Sequence, residues 1–192
     1  ICYRGRNTMN LPNKLTLLRI LLLPVIVFIY LIDIEWPTIN ILSNIVSVKQ
    51  ILLVTIFFIA SFTDFLDGYL ARSRNLITTF GKFADPIADK LLVNTLFFLL
   101  AVDGLVHPIV FIIMLWRDTV VDGIRMLASS EGTVIAAGIY GKLKTVLQMI
   151  AIVFVLLNAP FANVVVWAAA AMSLFSGVQY FYNARHIIFK SV

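Results

Sequence analysis

Apolar residues along this chain gather into six long blocks with short polar stretches between them. The blocks cover residues 15–32, 50–72, 85–102, 108–127, 142–157 and 159–182. A helix needs ~20 mostly apolar residues to cross a bilayer, and the chain has room for about six such helices with short connections. The pattern predicts an all-α polytopic membrane protein with six transmembrane helices. Residues 9–192 read as a single membrane domain. Residues 1–8 precede Met9 and differ in character from the rest of the chain, so they read as a leader or an added extension. The first block is long enough to stay as a span, which argues against a cleaved signal peptide.

The cations fix an orientation for these helices. Lys14, Arg19, Arg72, Arg74, Lys82, Lys90, Arg117, Arg125, Lys142, Lys144, Arg185 and Lys190 all fall on one side, or in the helix halves nearest it. The other side has residues 33–49, 103–107 and 158–160, where Lys49 is the one cation. The positive-inside rule then places both termini in the cytoplasm. An even number of spans satisfies this, whereas five or seven would part the two ends. Residues 33–49 read as an outer loop with Trp36 at the interface.

Composition strengthens the membrane reading. Hydrophobic residues make up 61% of the chain and charged residues 13%, about half the charged share of a soluble domain. One cysteine, Cys2, excludes an internal disulfide and a cysteine-based metal site. The net charge of +5 fits attraction to anionic lipid and phosphate, with no nucleic-acid partner called for.

The polar residues that remain are concentrated. Asp64, Asp67, Gly68, Ala71 and Arg72 stand at i, i+3, i+4, i+7 and i+8, which is one face of a helix. Asp85 and Asp89 are four apart and share a face of the next. The stretch 73–82 is polar enough to be a turn between antiparallel helices. The expectation is that the two acidic faces meet at one depth, near the cytoplasmic surface. Four carboxylates so placed would repel one another and resist desolvation. Two divalent cations would balance them, and hard oxygen ligands suit Mg2+ or Mn2+ rather than zinc. Gly68 and Ala71 leave space for a base or ribose, and Arg72 could fork onto a diphosphate. The bland alternative is a set of solvated helix caps; Asp85 before Pro86 reads as an N-cap with proline at the first helical position.

The series Asp64-x2-Asp67-Gly68-x2-Ala71-Arg72-x8-Gly81-x3-Asp85-x3-Asp89 resembles the full signature of the CDP-alcohol phosphotransferase family, with no departure at a fixed position. Three further stretches are similar to members that use a glycerol phosphate acceptor. They are Asn10-Leu11-Pro12-Asn13-Lys14-Leu15-Thr16-Leu17-Leu18-Arg19, Trp116-Arg117-Asp118 with Gly123-Ile124-Arg125, and Gly138-Ile139-Tyr140-Gly141-Lys142-Leu143-Lys144-Thr145. The resemblance implies a six-helix homodimer in the bacterial cytoplasmic membrane, with a dinuclear site open to the cytoplasm. It implies Asp64, Asp67 and Asp85 as metal ligands, and Asp89 as the proton acceptor that also touches the second metal. Gly68, Ala71, Arg72, Thr78 and Gly81 would hold the CDP part of CDP-diacylglycerol, with Asn13 and Thr16 assisting. The implied reaction joins CDP-diacylglycerol to sn-glycerol 3-phosphate and releases CMP.

An acceptor that carries its own phosphate needs cations. Arg117 and Arg125, eight apart and near one helix face, and Lys142 and Lys144 are the candidates. The alternative for them is anchorage to lipid headgroups, with Asp118 and Asp122 pairing to the arginines. His107, His186 and the run Tyr180-Phe181-Tyr182 read as loop or interfacial residues. Two rival functions remain: the same chemistry on another alcohol (inositol phosphate, serine or phosphatidylglycerol), and a divalent-cation carrier. A carrier predicts acids at the midplane and polar residues on both sides, which this distribution does not match.

Overall fold

The computed structural model describes residues 10–41, 44–73, 79–130 and 138–188. Among them are six α-helices: α1 Leu11–Leu31, α2 Val48–Ser73, α3 Thr79–Val102, α4 Pro108–Ser130, α5 Ile139–Leu156 and α6 Ala162–Ile188. Each matches one of the six apolar blocks in the sequence. Between α1 and α2 run two short strands, β1 Thr38–Ile41 and β2 Asn44–Ser47, which pair into a two-stranded sheet.

Two expectations are corrected by this architecture. Residues 33–49 are not a plain loop: Thr-Ile-Asn-Ile alternates, and it and Asn-Ile-Val-Ser are both rich in β-branched residues, a composition suited to pairing. The second concerns α3, which begins at Thr79 rather than beside Asp85. Pro86 is therefore interior to the helix, and Asp85 is not its N-cap. Asp85 and Asp89 are both carried on helical backbone.

The chain divides into two compact units, one of residues 1–39 and 47–95, the other of residues 40–46 and 96–192. In the first, α1 packs on α2. The buried residues of α1 are Thr16, Arg19, Ile26 and Tyr30, on one face, while Leu17, Leu18, Leu21, Val25, Phe28 and Leu31 are exposed. On α2 the buried stripe is Leu53, Phe57 and Ala60, and Asp64 is the next residue along it.

In the second unit α6 packs on both α4 and α5. Its inward face is mostly small: Ala169, Ala170, Ser173, Ser176 and Ala184 are buried there, with Val166 and Tyr180 the larger members. Small side chains let neighbouring helices approach closely, as is usual where lipid offers no hydrophobic drive to pack. The outer face of α6 carries Val164, Trp167, Leu174, Phe175, Val178 and Phe181, all exposed. The turn after α3 closes with Gly104 at φ 73°, and the amides of Leu105 and Val106 both donate to the Leu100 carbonyl. Only a residue free to take positive φ ends a helix this way without strain.

Among the described residues, three segments are long and apolar enough to cross a membrane: Asn13–Leu31, Ile139–Leu156 and Ala162–His186. The chain is thus built as a membrane protein. The helices α2, α3 and α4 have 26, 24 and 23 residues, lengths that also exceed the ~20 needed for a bilayer core. Acids and arginines within them lower their hydropathy.

Candidate active site

In the first unit, α1 reaches the acids of α2 and α3. Arg19 is fully buried, and its Nη1 lies 2.7 Å from Asp64 Oδ1, whose side chain is 34% exposed. Arg19 Nε also donates to the Ala60 carbonyl at 3.3 Å, one turn before Asp64 on α2. Thr16, three residues earlier on the same face of α1, donates its hydroxyl to Asp85 Oδ1. Asp64 and Asp85 are therefore each held by a buried side chain of α1. Asp89, one turn beyond Asp85, is half-buried.

These acids supply hard oxygen donors, which fit a divalent cation of the magnesium or manganese type. An outer partner that fixes a carboxylate's orientation is what such a ligand requires, and Thr16 and Arg19 are partners of that kind. Among the described residues no group of three His, Cys, Asp or Glu side chains is close enough to hold a metal. Asp67 belongs to α2, but its side chain lies outside the described residues. The same is true of the side chains of Ala71 and Arg72 and the surroundings of Gly68 and Gly81; Thr78 lies outside altogether, as do residues 1–8. Asn13 is half-buried in the first turn of α1.

In the second unit, a cavity of about 110 Å3 is lined by Arg117, Arg125, Gly138, Ile139, Tyr140, Gly141, Ser176, Gln179, Tyr180 and Asn183. Two arginines face it, and among the described residues none of its lining is acidic. Such a pocket favours an anion, and the planar guanidinium fork matches phosphate.

The charges behind it are arranged asymmetrically. Asp118 Oδ1 accepts from Lys144 Nζ at 2.6 Å and from Arg117 Nη1 at 3.0 Å. All three side chains are nearly buried, at 6%, 5% and 11% exposure. One carboxylate therefore serves two cations, and the three groups together carry one net positive charge. Lys142 is exposed and is not among the cavity's lining residues.

The sequence places Tyr180 in an interfacial belt, and the structure corrects this. Its ring is buried, its hydroxyl accepts from Arg125 Nε at 3.1 Å, and it lines the cavity. The neighbouring Phe181 and Tyr182 are exposed, as an interfacial belt requires. No feature of the local sequence separates Tyr180 from them; the 3–4 spacing Ser173, Ser176, Tyr180, Ala184 does. His107 and His186 do stand at element ends: His107 Nδ1 accepts from the Ile109 amide at 3.3 Å at the start of α4, and His186 is in the last turn of α6.

Comparison with known proteins bears on the chain as a whole. The family model described as CDP-alcohol phosphatidyltransferase matches residues 9–175. The chain is 39% identical over 180 residues to a Bacillus subtilis protein named CDP-diacylglycerol–glycerol-3-phosphate 3-phosphatidyltransferase, covering 90% of this chain and 93% of that one. A Rickettsia typhi protein of the same name is 35% identical over 181 residues, covering 90% of this chain and 95% of its own length. A third, from Mycoplasma genitalium, is 41% identical over 150 residues, or 76% of this chain and 64% of its own length.

Proposed function

The chain belongs to the CDP-alcohol phosphatidyltransferase family, and from that premise we propose that it transfers a phosphatidyl group from CDP-diacylglycerol to sn-glycerol 3-phosphate. It is a CDP-diacylglycerol-dependent phosphatidyltransferase of phospholipid biosynthesis, and its products are phosphatidylglycerophosphate and CMP. The observation that carries the choice of acceptor is the cavity faced by Arg117 and Arg125, with no acid among its described lining residues. Serine offers two guanidiniums one carboxylate, offset by its own ammonium, where a phosphomonoester offers up to two charges and three acceptor oxygens.

Roles follow from chemistry. Asp64, Asp67 and Asp85, with Asp89, would hold two Mg2+ or Mn2+ ions, and that charge would offset the negative charge of the diphosphate. Gly68, Ala71, Arg72, Thr78 and Gly81 hold the CDP group, with Asn13 near the start of α1. Thr16 serves by orienting Asp85. Asp89 takes the proton from the acceptor hydroxyl as that oxygen attacks the lipid-side phosphorus in line. The new P–O bond forms, the bond to CMP breaks, and no covalent enzyme intermediate intervenes. Arg117 and Arg125 bind the acceptor's phosphate, with Lys144 supplying charge behind Arg117 and Lys142 adding to the field at the start of α5.

The protein acts as a homodimer in the bacterial cytoplasmic membrane, with six spans and both termini on the cytoplasmic side. The one-sided distribution of cations supports that orientation.

The test is CMP release by the purified protein with CDP-diacylglycerol, Mg2+ and candidate acceptors. Release is expected with glycerol 3-phosphate and not with inositol phosphate, serine or phosphatidylglycerol. Chelation by EDTA should abolish it and added Mg2+ or Mn2+ restore it. Equal release with no acceptor present would make the protein a hydrolase and overturn the reading.

A second expectation concerns Arg19. Replacing it with Met takes a buried guanidinium away from the Asp64 carboxylate and frees that side chain to turn. CMP release should fall by about tenfold or more, and Lys at this position should recover part of the loss, because it restores charge without the fork. Equal rates for the Met and Lys variants would mean that charge at this position is irrelevant.

A further inference from the structure

We propose that α6 is the element that converges the two arginines of α4 on one anion, with Gly177 and Tyr180 as the positioning residues. The inference rests on the reading of the cavity as the acceptor-phosphate site.

Arg117 and Arg125 are eight positions apart, a rise of about 12 Å along a helix. A phosphate is far smaller than that, so two guanidiniums on this spacing do not share one unless their side chains are bent toward each other. Both nonetheless line the same small cavity. Each arginine meets α6 on its way there, one through its stem and the other through its guanidinium.

Gly177 acts on Arg117. A Cβ at Gly177 would lie 2.9 Å from Arg117 Cγ and 3.9 Å from its Cβ. The nearer distance is below any ordinary carbon contact, and Cγ is too close to the backbone to swing aside. Glycine at this position lets the arginine stem lie against α6, while Asp118 holds the far end through Nη1. On the other side, a Cβ at Gly141 would stand 3.6 Å from Arg117 Nη2, an ordinary contact. The steric demand therefore comes from α6 and not from α5.

Tyr180 acts on Arg125. It stands three residues after Gly177, on the same face of α6. Its hydroxyl takes the Nε hydrogen at 3.1 Å, and the guanidinium carbon sits 5.3 Å from the ring centroid. Engaging Nε fixes the plane of the guanidinium and leaves its terminal amino groups to a ligand. One turn of α6 thus sets both arginines, and through them the preference for an acceptor bearing a phosphomonoester.

The measurements are steady-state CMP release and, separately, thermal unfolding in detergent with and without inorganic phosphate. Tyr180→Phe keeps the ring and removes the hydroxyl. It should raise KM for glycerol 3-phosphate by about tenfold, the effect of a lost hydrogen bond to a charged group. The values of kcat and of KM for CDP-diacylglycerol should stay within about twofold. Gly177→Ala should raise the same KM in the same selective way, and the exposed Tyr182→Phe should leave it unchanged. Phosphate should raise the unfolding temperature of the wild type and do so less for Tyr180→Phe. If the wild type uses glycerol 3-phosphate but Tyr180→Phe has an unaltered KM, or both substrates lose equally, the inference fails and the function stands. If the wild type does not turn over glycerol 3-phosphate yet phosphate stabilises it through Tyr180, the choice of acceptor fails and the inference stands. Absence of both effects in the wild type overturns both.

Discussion

Asp89→Asn is expected to lower CMP release by about 10³-fold while leaving the protein folded and able to bind CDP-diacylglycerol. The substitution is nearly isosteric and keeps a hydrogen-bonding side chain at a half-buried position of α3. What it removes is the capacity to accept a proton, together with the negative charge that Asp89 would offer the second metal. A positioned general base contributes about 10²–10⁴ in rate, and an amide offers no substitute. No histidine lies near this part of α3 in sequence: the chain has two, His107 and His186. Asp85, one turn earlier, is already engaged by the Thr16 hydroxyl. The loss should therefore appear in kcat, with CDP-diacylglycerol still raising the unfolding temperature of the variant. A residual rate within about tenfold of wild type would remove Asp89 from the role of base.

Particular residues show how much of this is legible in the sequence. The six helices are readable because each rests on a long, mostly apolar run, a stronger signal than the amphipathic stripe of a soluble helix, and three of those runs are apolar enough to cross a bilayer. The start of α3 is easily misread because proline is at home in the first turn of a helix. Pro86 therefore looks like a beginning, although α3 starts at Thr79. The strands Thr38–Ile41 and Asn44–Ser47 are four residues each, too short for alternation to stand out in a polar connection. Among the site residues, the pairing of Asp118 with Arg117 can be anticipated, since the two are adjacent in sequence. The contacts Arg19 to Asp64, Thr16 to Asp85 and Tyr180 to Arg125 span 45, 69 and 55 positions. Spacing within one helix shows which residues share a face but not what that face meets. Gly177 illustrates the limit, because its role depends on the stem of an arginine 60 positions earlier.

The largest expected effect on stability concerns Asp118, and its sign pattern is specific to the way charges are shared there. Asp118 accepts from both Lys144 and Arg117 through the same oxygen, so the three groups are not interchangeable. Removing the acid, as in Asp118→Ala, leaves two nearly buried cations facing each other without the carboxylate between them. Breaking a buried ion pair by deleting one partner costs about 3–5 kcal/mol. For a chain of this size each kcal/mol is worth about 2–4 °C in unfolding temperature, so a fall of roughly 10 °C or more is expected. Removing a cation has a different outcome. Lys144→Met keeps an apolar stem on the buried face of α5 and leaves Asp118 paired one-to-one with Arg117, a neutral group. Its unfolding temperature should stay within a few degrees of wild type, about 1 kcal/mol or less. The same variant loses the net positive charge behind the cavity, so its KM for glycerol 3-phosphate should rise although the fold is intact. Adding Lys144→Met to Asp118→Ala should recover part of the lost stability, because one of the two opposed cations is gone. Stability and acceptor affinity are thus separable at neighbouring atoms: the carboxylate holds the helices together, and the ammonium beside it biases the pocket toward an anion. Equal destabilisation by Asp118→Ala and Lys144→Met, measured by thermal unfolding in the same detergent, would show that the pairs act independently and that no charge is shared.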